Sequence, residues 1–110
     1  MSLVRSDYIL IGLNVGYEKY NSNRFEEYAA YMDLTTTGDI TYLVDVDGDY
    51  FIVGEIIKCD PKGYDGLGLN TFPTINDTPF IEKKERVRMH IREKFKMDGE
   101  PKLIVLTHWT

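Results

Sequence analysis

The chain has 110 residues, 43% of them hydrophobic and 28% charged, which is typical of one globular domain that needs no disulfide or metal for stability. Its net charge of −5 argues against nucleic acid as the main partner. The single cysteine, Cys59, rules out an internal disulfide and fits a reducing compartment. No apolar run is long enough for a signal peptide or a membrane span, so we expect a soluble, cytoplasmic protein.

Taken in chain order, the first predicted element is a buried strand over residues 8–15, a mostly apolar run. A helix is predicted over residues 24–34, because its apolar residues recur at i, i+3, i+4 and i+7. These residues are Phe25, Tyr28, Ala29 and Met32. The Thr-Thr-Thr-Gly run that follows is expected to end the helix, since β-branched residues and glycine continue a helix poorly.

Residues 40–57 predict a β-hairpin, because Asp47-Gly48 lies between two runs rich in Val, Ile, Tyr and Phe. Asp-Gly favours a type I′ turn, which requires positive φ at both central residues. A two-residue turn would also fix the strand register. The expected pairs are Val44 with Phe51, Tyr42 with Val53, Ile40 with Glu55, and Leu43 with Ile52.

Residues 60–78 form the most irregular part of the sequence, with three glycines and two prolines. Loops of this length in a small domain are often lids or contact surfaces. Four large apolar residues lie among the glycines, and we expect them either to pack the loop onto the body or to form a contact surface. They are Tyr64, Leu67, Leu69 and Phe72.

A second helix is predicted to begin at Thr78-Pro79, since threonine is a good N-cap and proline suits the first helical position. Asp98-Gly99 should end it, and residues 103–109 predict a last strand. This helix carries seven basic and three acidic residues, a local balance of 7 − 3 = +4. Either this is a solvated face with i, i+4 ion pairs, or it contacts a polyanion. The polyanion candidates are Arg86, Arg88, Arg92 and Lys96.

The element order predicts a single α+β domain over residues 1–110, with a ferredoxin-like βαββαβ topology. Its four-stranded antiparallel sheet would carry both helices on one face and leave the other face bare. The expected bare face is apolar, and a monomer rarely exposes such a patch to water. It would consist of Tyr8, Leu10, Leu43, Tyr50, Ile52 and Ile56.

Four covers for that face are open: a second copy stacked sheet to sheet, a different protein, the 60–78 loop, or a small ligand. Self-association is the favoured interpretation, because closed two-fold dimers are the commonest oligomers. The function expected is therefore that of a non-enzymatic interaction protein that forms homodimers. The alternative is a small enzyme or ligand-binding protein with a pocket between the 60–78 loop and the sheet.

The residues predict no catalytic site, no metal site and no cofactor. Asp45, Asp47 and Asp49 alternate as calcium ligands do, but the glycine and the final carboxylate of an EF-hand loop are not in place. The predicted order is similar to that of RNA-recognition modules, in which strand aromatics stack on bases, and Tyr8 and Tyr50 could take such places. Acidic residues replace the basic motif of those modules here, so RNA binding is the less favoured reading.

The overall texture of the chain, rather than any one motif, resembles that of small accessory proteins of bacteriophages. This resemblance implies an uncharacterised accessory role and, for a viral protein, a location in the host cytoplasm.

Overall fold

The computed structural model describes residues 4–20, 25–72 and 77–110, with the backbone alone described for Phe25. Short 3₁₀ turns lie at Tyr17–Lys19 and Pro61–Gly63. The predicted start of the first helix, and residues 73–76 of the long loop, lie outside the described residues. The main elements are β1 (Arg5–Asn14), α1 (Phe25–Ala29), β2 (Ile40–Val44), β3 (Phe51–Asp60), α2 (Thr78–Phe95) and β4 (Lys102–Trp109).

The strands form one antiparallel sheet in the order β2-β3-β1-β4, which confirms the α+β class and the four-stranded antiparallel sheet. The predicted ferredoxin-like βαββαβ fold is not matched, because it requires two full-length helices and α2 is the only one among the described residues. The first helix has five residues instead of the predicted eleven-residue span. The helical spacing of the apolar residues therefore overestimated the length of α1.

The chain leaves α1 early because its next residues bind the outer edge of β2. The Tyr42 amide donates to the Tyr31 carbonyl over 2.7 Å, and the Asp33 amide donates back to the Tyr42 carbonyl over 3.2 Å. Asp33 has a φ of 51°, a left-handed conformation that ends any helix. Tertiary hydrogen bonds thus replaced the helical ones that the sequence pattern predicted.

The β2–β3 hairpin has the predicted register, with Val44 opposite Phe51 and Ile40 opposite Glu55. Its turn type was predicted wrongly. Gly48 has a φ of 83°, but Asp47 does not share the positive φ that a type I′ turn requires. Instead the Gly48 amide donates to the Asp45 carbonyl over 3.1 Å, which places Val46 at the second position of a four-residue turn.

The helix side of the sheet holds an aromatic core to which both helices contribute. Tyr42 is at its centre, with ring centroids 5.6 Å from Tyr28 of α1 and 5.5 Å from Phe95 of α2. Close aromatic contacts of this kind add to the stabilisation from apolar burial. The buried members are Val15, Tyr28, Tyr42, Phe51, Val53, Val87, Ile91 and Phe95.

We call the opposite face of the sheet the concave face. The sequence analysis predicted that this face is bare, but in the structure it is buried. Leu10, Leu43 and Ile56 are completely buried within the single chain, Tyr8 and Ile52 are nearly so, and Tyr50 is half-buried. The predicted interface residues therefore form a second core cluster rather than an exposed surface. None of the apolar side chains that pack against this cluster comes from the described part of the 60–78 loop.

The concave face is buried because the sheet coils on itself. Tyr50 lies beside the turn near the C-terminal end of β1, whereas His108 pairs with Ser6 at the N-terminal end of β1. Their side chains nevertheless meet, with the Tyr50 hydroxyl 2.7 Å from His108 Nδ1. Only a strongly twisted sheet brings such distant corners together.

A pair of facing glycines permits this coil. Gly12 of β1 lies opposite Gly54 of β3, and the Leu10 side chain occupies the space above both. A Cβ on Gly12 would lie 2.6 Å from the Val53 carbonyl oxygen, and a Cβ on Gly54 would lie 2.4 Å from Leu10 Cδ1. Opposite Ile9 and Leu10, β3 carries one extra residue, Ile57, and such a β-bulge increases the local twist further.

We expect Gly12→Ala to lower the free energy of unfolding by about 1–3 kcal/mol, the usual cost of overpacking a close-packed region. The new methyl group would meet backbone atoms, which cannot rotate away. The matched control is Gly99→Ala, whose methyl group would meet only the flexible Leu13 side chain. Chemical denaturation measures both, and equal losses in the two variants would contradict this account of the coil.

Candidate functional site

A chain of three polar side chains closes the concave face. It consists of Tyr50 beside the hairpin turn, His108 on β4 and Asp33 on the segment that covers β2. His108 is buried, with Nδ1 2.7 Å from the Tyr50 hydroxyl and Nε2 3.2 Å from Asp33 Oδ1. If the Asp33 carboxylate accepts, as an ionised carboxylate must, Nε2 carries the proton and Nδ1 accepts from the Tyr50 hydroxyl.

This arrangement stabilises structure and contains no activated nucleophile. Burial, followed by the carboxylates of Asp45 and Asp33, raises the pKa of Tyr50 to about 12, so its hydroxyl stays protonated. Burial also raises the pKa of the Cys59 thiol, which lies beside Tyr8. A reactive thiol or phenol requires the opposite shift.

Tyr8 cannot stack on a base, as the comparison with RNA-recognition modules had suggested. Its ring is buried against His108, with the two centroids 6.2 Å apart, and its hydroxyl donates to the Leu34 carbonyl over 2.9 Å. Burial raises the pKa of the Tyr8 hydroxyl as well. Both proposed stacking residues are thus part of the concave-face cluster and its hydrogen bonds.

A buried carboxylate joins α2 to the sheet. Glu55 of β3 is 1% exposed and accepts hydrogen bonds from Arg86 Nε over 2.8 Å and Lys83 Nζ over 3.0 Å. A second hydrogen bond from Arg86 Nη2 to Glu55 spans 3.1 Å. Burial acts to raise the pKa of Glu55, but the hydrogen bonds from Arg86 and Lys83 outweigh it and hold the pKa below its ordinary value.

The four polyanion candidates do not form a free basic face. Arg86 binds Glu55, Arg88 Nη1 lies 2.7 Å from Glu85, and Arg92 Nη2 lies 2.6 Å from Asp98. Lys96 is exposed and ends α2 in a left-handed conformation, with a φ of 55°. Three of the four charges are therefore already paired within the chain, although none of these pairs has the i, i+4 spacing of a solvated helix face.

The four loop residues divide into two pairs. Tyr64 is 82% exposed and Leu69 is 91% exposed, so both project into solvent. Leu67 and Phe72 are partly buried, and Lys58 holds the loop by donating to the Leu67 carbonyl over 2.6 Å. The loop both packs on the body and presents apolar side chains.

A cavity of about 220 Å³ lies where this loop meets the sheet and the start of α2. Its walls are mostly apolar and include one acidic and one basic side chain. The lining residues are Ile11, Ile57, Phe72, Asp77, Pro79, Phe80 and Lys83. Its volume lies below the usual range for ligand sites, which is about 300–1,000 Å³.

The outer edge of β4 is the longest unpaired strand edge among the described residues. On the helix side of this strand, Val105 is 69% exposed and Trp109 is 44% exposed. A groove of about 330 Å³ lies beside the start of β4. It is lined by Phe80, Lys84, Glu100, Pro101, Lys102 and Leu103.

Sequence reasoning missed the Tyr50–His108–Asp33 chain and the edge of β4. His108 alternates with Ile104 and Leu106 along β4, and this alternation was the available signal that its side chain points into a core. The buried Glu55 had a signal too, since a carboxylate in the middle of an apolar strand requires partners.

Within the described residues, no group of three or more histidine, cysteine or acidic side chains is placed to hold a metal ion. In the same part of the chain, no helix has the length and apolar character needed to cross a membrane. No family model matches the sequence, and no curated protein or solved structure resembles it at a significant level.

We expect Glu55→Gln to lower the free energy of unfolding by about 2 kcal/mol at neutral pH, since hydrogen bonds to charged groups contribute about 1.5–3 kcal/mol. Because the folded-state pKa of Glu55 is lowered, its contribution is full above the ordinary glutamate pKa and is lost as pH falls through the lowered value. The gap between wild type and variant should therefore narrow in acid.

Denaturation curves across a pH series measure this effect, and Glu100→Gln is the control. Glu100 also pairs with a lysine of α2, Lys84, but it is exposed, so its loss should leave the unfolding transition unchanged. A pH-independent gap for Glu55→Gln would show that the carboxylate does not act through its charge.

Proposed function

We propose that this protein is a non-enzymatic interaction protein that forms homodimers. The observation that supports the proposal is the outer edge of β4, which is unpaired within the described part of the chain and where Val105 and Trp109 are both exposed on the helix side of the strand. Both faces of the sheet already hold packed cores, so the part of the sheet that remains open to a partner is this edge. An unpaired strand edge that carries exposed apolar side chains is a template for pairing with another chain.

The titratable groups of the described residues favour binding over catalysis. Glu55 is occupied by Arg86 and Lys83, and His108 is occupied on both ring nitrogens. The shifted pKa values of Tyr50 and Cys59 favour their neutral forms. A catalytic site commonly needs a group whose pKa is tuned for proton transfer or attack.

Light scattering coupled to size exclusion tests the proposal through the solution mass. One chain has a mass of 12.8 kDa, and we expect a species of twice that mass that dissociates on dilution. A mass of one chain at every concentration that can be reached would overturn the homodimer.

A second candidate function is the binding of a small, mostly apolar ligand in the cavity beside Phe72. The specific observation in its favour is that the cavity lies between the 60–78 loop and the sheet, with Ile57 and Phe80 in its wall. Burying an apolar ligand there would release water from apolar surface.

We expect an anilinonaphthalene sulfonate dye to gain fluorescence in the presence of the wild-type protein. The variant Ile57→Phe should reduce this gain several-fold, because the larger ring fills the cavity. Val46→Phe, at an exposed turn residue, is the control for added apolar surface. Equal fluorescence with all three proteins would place the dye elsewhere and remove this candidate.

A further inference from the structure

We infer that the second copy binds at the outer edge of β4, so that two β4 strands pair antiparallel and the two sheets become one continuous sheet. The inference rests on the proposed homodimer and assigns its interface. It replaces the sheet-to-sheet stacking expected from the sequence. That stacking required an exposed concave face, and this face is buried within the single chain.

Backbone geometry identifies the atoms that are free to pair. Val4 and Thr110 exchange two backbone hydrogen bonds, of 2.7 and 3.0 Å. In an antiparallel ladder the bonded pairs alternate with pairs whose N–H and C=O groups point away from each other. From the register of β1 and β4, the residues of β4 that direct these groups outward are Leu103, Val105, Thr107 and Trp109.

The two edges of the sheet are treated differently by the chain. At the β2 edge, Tyr31 and Asp33 satisfy the outward groups of Tyr42, and Thr41 Oγ1 bonds to both Leu34 and Tyr31. At the β4 edge, no backbone hydrogen bond from Leu103, Val105, Thr107 or Trp109 reaches another described segment. The chain therefore covers one edge and leaves the other available.

The β4 edge also lacks the features that usually prevent strands from pairing. Natural edge strands are short, or carry charges, prolines or bulges. β4 has eight residues, and between Leu103 and Trp109 it contains no Asp, Glu, Lys, Arg, Pro or Gly. Its register with β1 is also regular throughout. Such an edge in a stable protein is expected to have a partner.

The register of the pairing follows from using the whole edge. If Leu106 faces Leu106 of the partner subunit across a two-fold axis, Val105 faces the partner's Thr107, and Leu103 faces the partner's Trp109. Every outward amide and carbonyl of β4 then finds a partner. A two-residue shift in either direction leaves outward groups at the end of the strand unpaired.

The groove beside Leu103 supports this register. Trp109 of the partner subunit would lie across from Leu103, next to the groove of about 330 Å³ that Phe80 and Pro101 help to line. The exposed indole of one chain would thus enter an apolar recess of the other, twice in each dimer. Because α2 packs mainly on β1 and β3, it leaves room on the helix side of β4.

The charges along the edge are compatible with self-pairing. In the full-length register, the charged Lys102 faces the partner's neutral Thr110 rather than a second lysine. The remaining cross-strand neighbours are apolar, β-branched or aromatic side chains, with His108 facing the partner's Ile104. Such pairs stabilise antiparallel strands, whereas like charges placed opposite each other destabilise them.

Val105→Pro tests the edge directly. The Val105 amide points outward, so proline removes a hydrogen bond only from the proposed dimer and leaves the ladder with β1 intact. Val46→Pro is the control, since Val46 is exposed at the second position of a turn, where proline is favoured. We expect Val105→Pro to halve the solution mass and Val46→Pro to leave it at the wild-type value.

Trp109, the single tryptophan of the chain, reports the same event by fluorescence. Its emission should move to longer wavelength when wild type is diluted, and should be at the longer wavelength at all concentrations in Val105→Pro. Circular dichroism confirms that the variant is folded. A dimeric wild type whose tryptophan emission does not respond to dilution would contradict the placement of Trp109 in the groove.

A disulfide test fixes the register without relying on proline. In a Cys59→Ser background, Leu106→Cys would place two thiols across a non-hydrogen-bonded pair, with Cα atoms about 4.5 Å apart, which suits a disulfide. Val105→Cys is the control, because its partner copy would be a diagonal neighbour about 7–8 Å away, too far to bridge. With oxidised glutathione, we expect covalent dimers from Leu106→Cys only.

The outcomes separate this inference from the proposed function. If the wild-type protein has the mass of one chain, both the proposed homodimer and the β4 interface are overturned. A dimeric wild type that stays dimeric in Val105→Pro and gives no cross-link at Leu106→Cys keeps the homodimer and overturns the β4 interface. Cross-linking at Val105→Cys instead of Leu106→Cys keeps the interface and overturns the register.

Discussion

The close approach of β1 and β3 at Gly12 and Gly54 is the constraint on which the rest of the fold depends. Without side chains at these two positions, the strands can twist enough for the Leu10 side chain to lie over both glycines. The twist brings Tyr50 to His108, and their hydrogen bond keeps the corners of the sheet together. A flat sheet would expose the same apolar residues to water. The two glycines thus decide which surface of this molecule is inside.

The Glu55 cluster has a related role on the other side of the sheet. A carboxylate buried in a strand is unfavourable unless it is paired, and both of its partners come from one turn of α2. The aromatic core around Tyr42 supplies apolar burial, which is not directional, whereas Glu55 specifies where along the sheet the helix lies. Several basic residues of α2 form ion pairs with acidic residues of the same chain, which explains a locally basic helix in an acidic protein.

The sequence predicted those features that local patterns determine. The hairpin register follows from the chain on either side of Asp47-Gly48, and the long helix follows from its apolar spacing. The burial of the concave face could not be predicted from the sequence, because it depends on a twist that joins Tyr50 to a histidine 58 positions away. The predicted length of α1 was wrong for a similar reason. Its last predicted turn is given up for hydrogen bonds to Tyr42, and local propensity does not include that competition.

The segment around Tyr31 and Asp33 has a consequence for the size of any assembly built by strand pairing. A sheet with two open edges can add copies at both ends, and such growth has no natural limit. Here the chain itself occupies the β2 edge, so a continuous sheet formed through β4 would end at a covered edge on both sides. The same few hydrogen bonds that shorten α1 would thereby make the complex finite rather than fibrous.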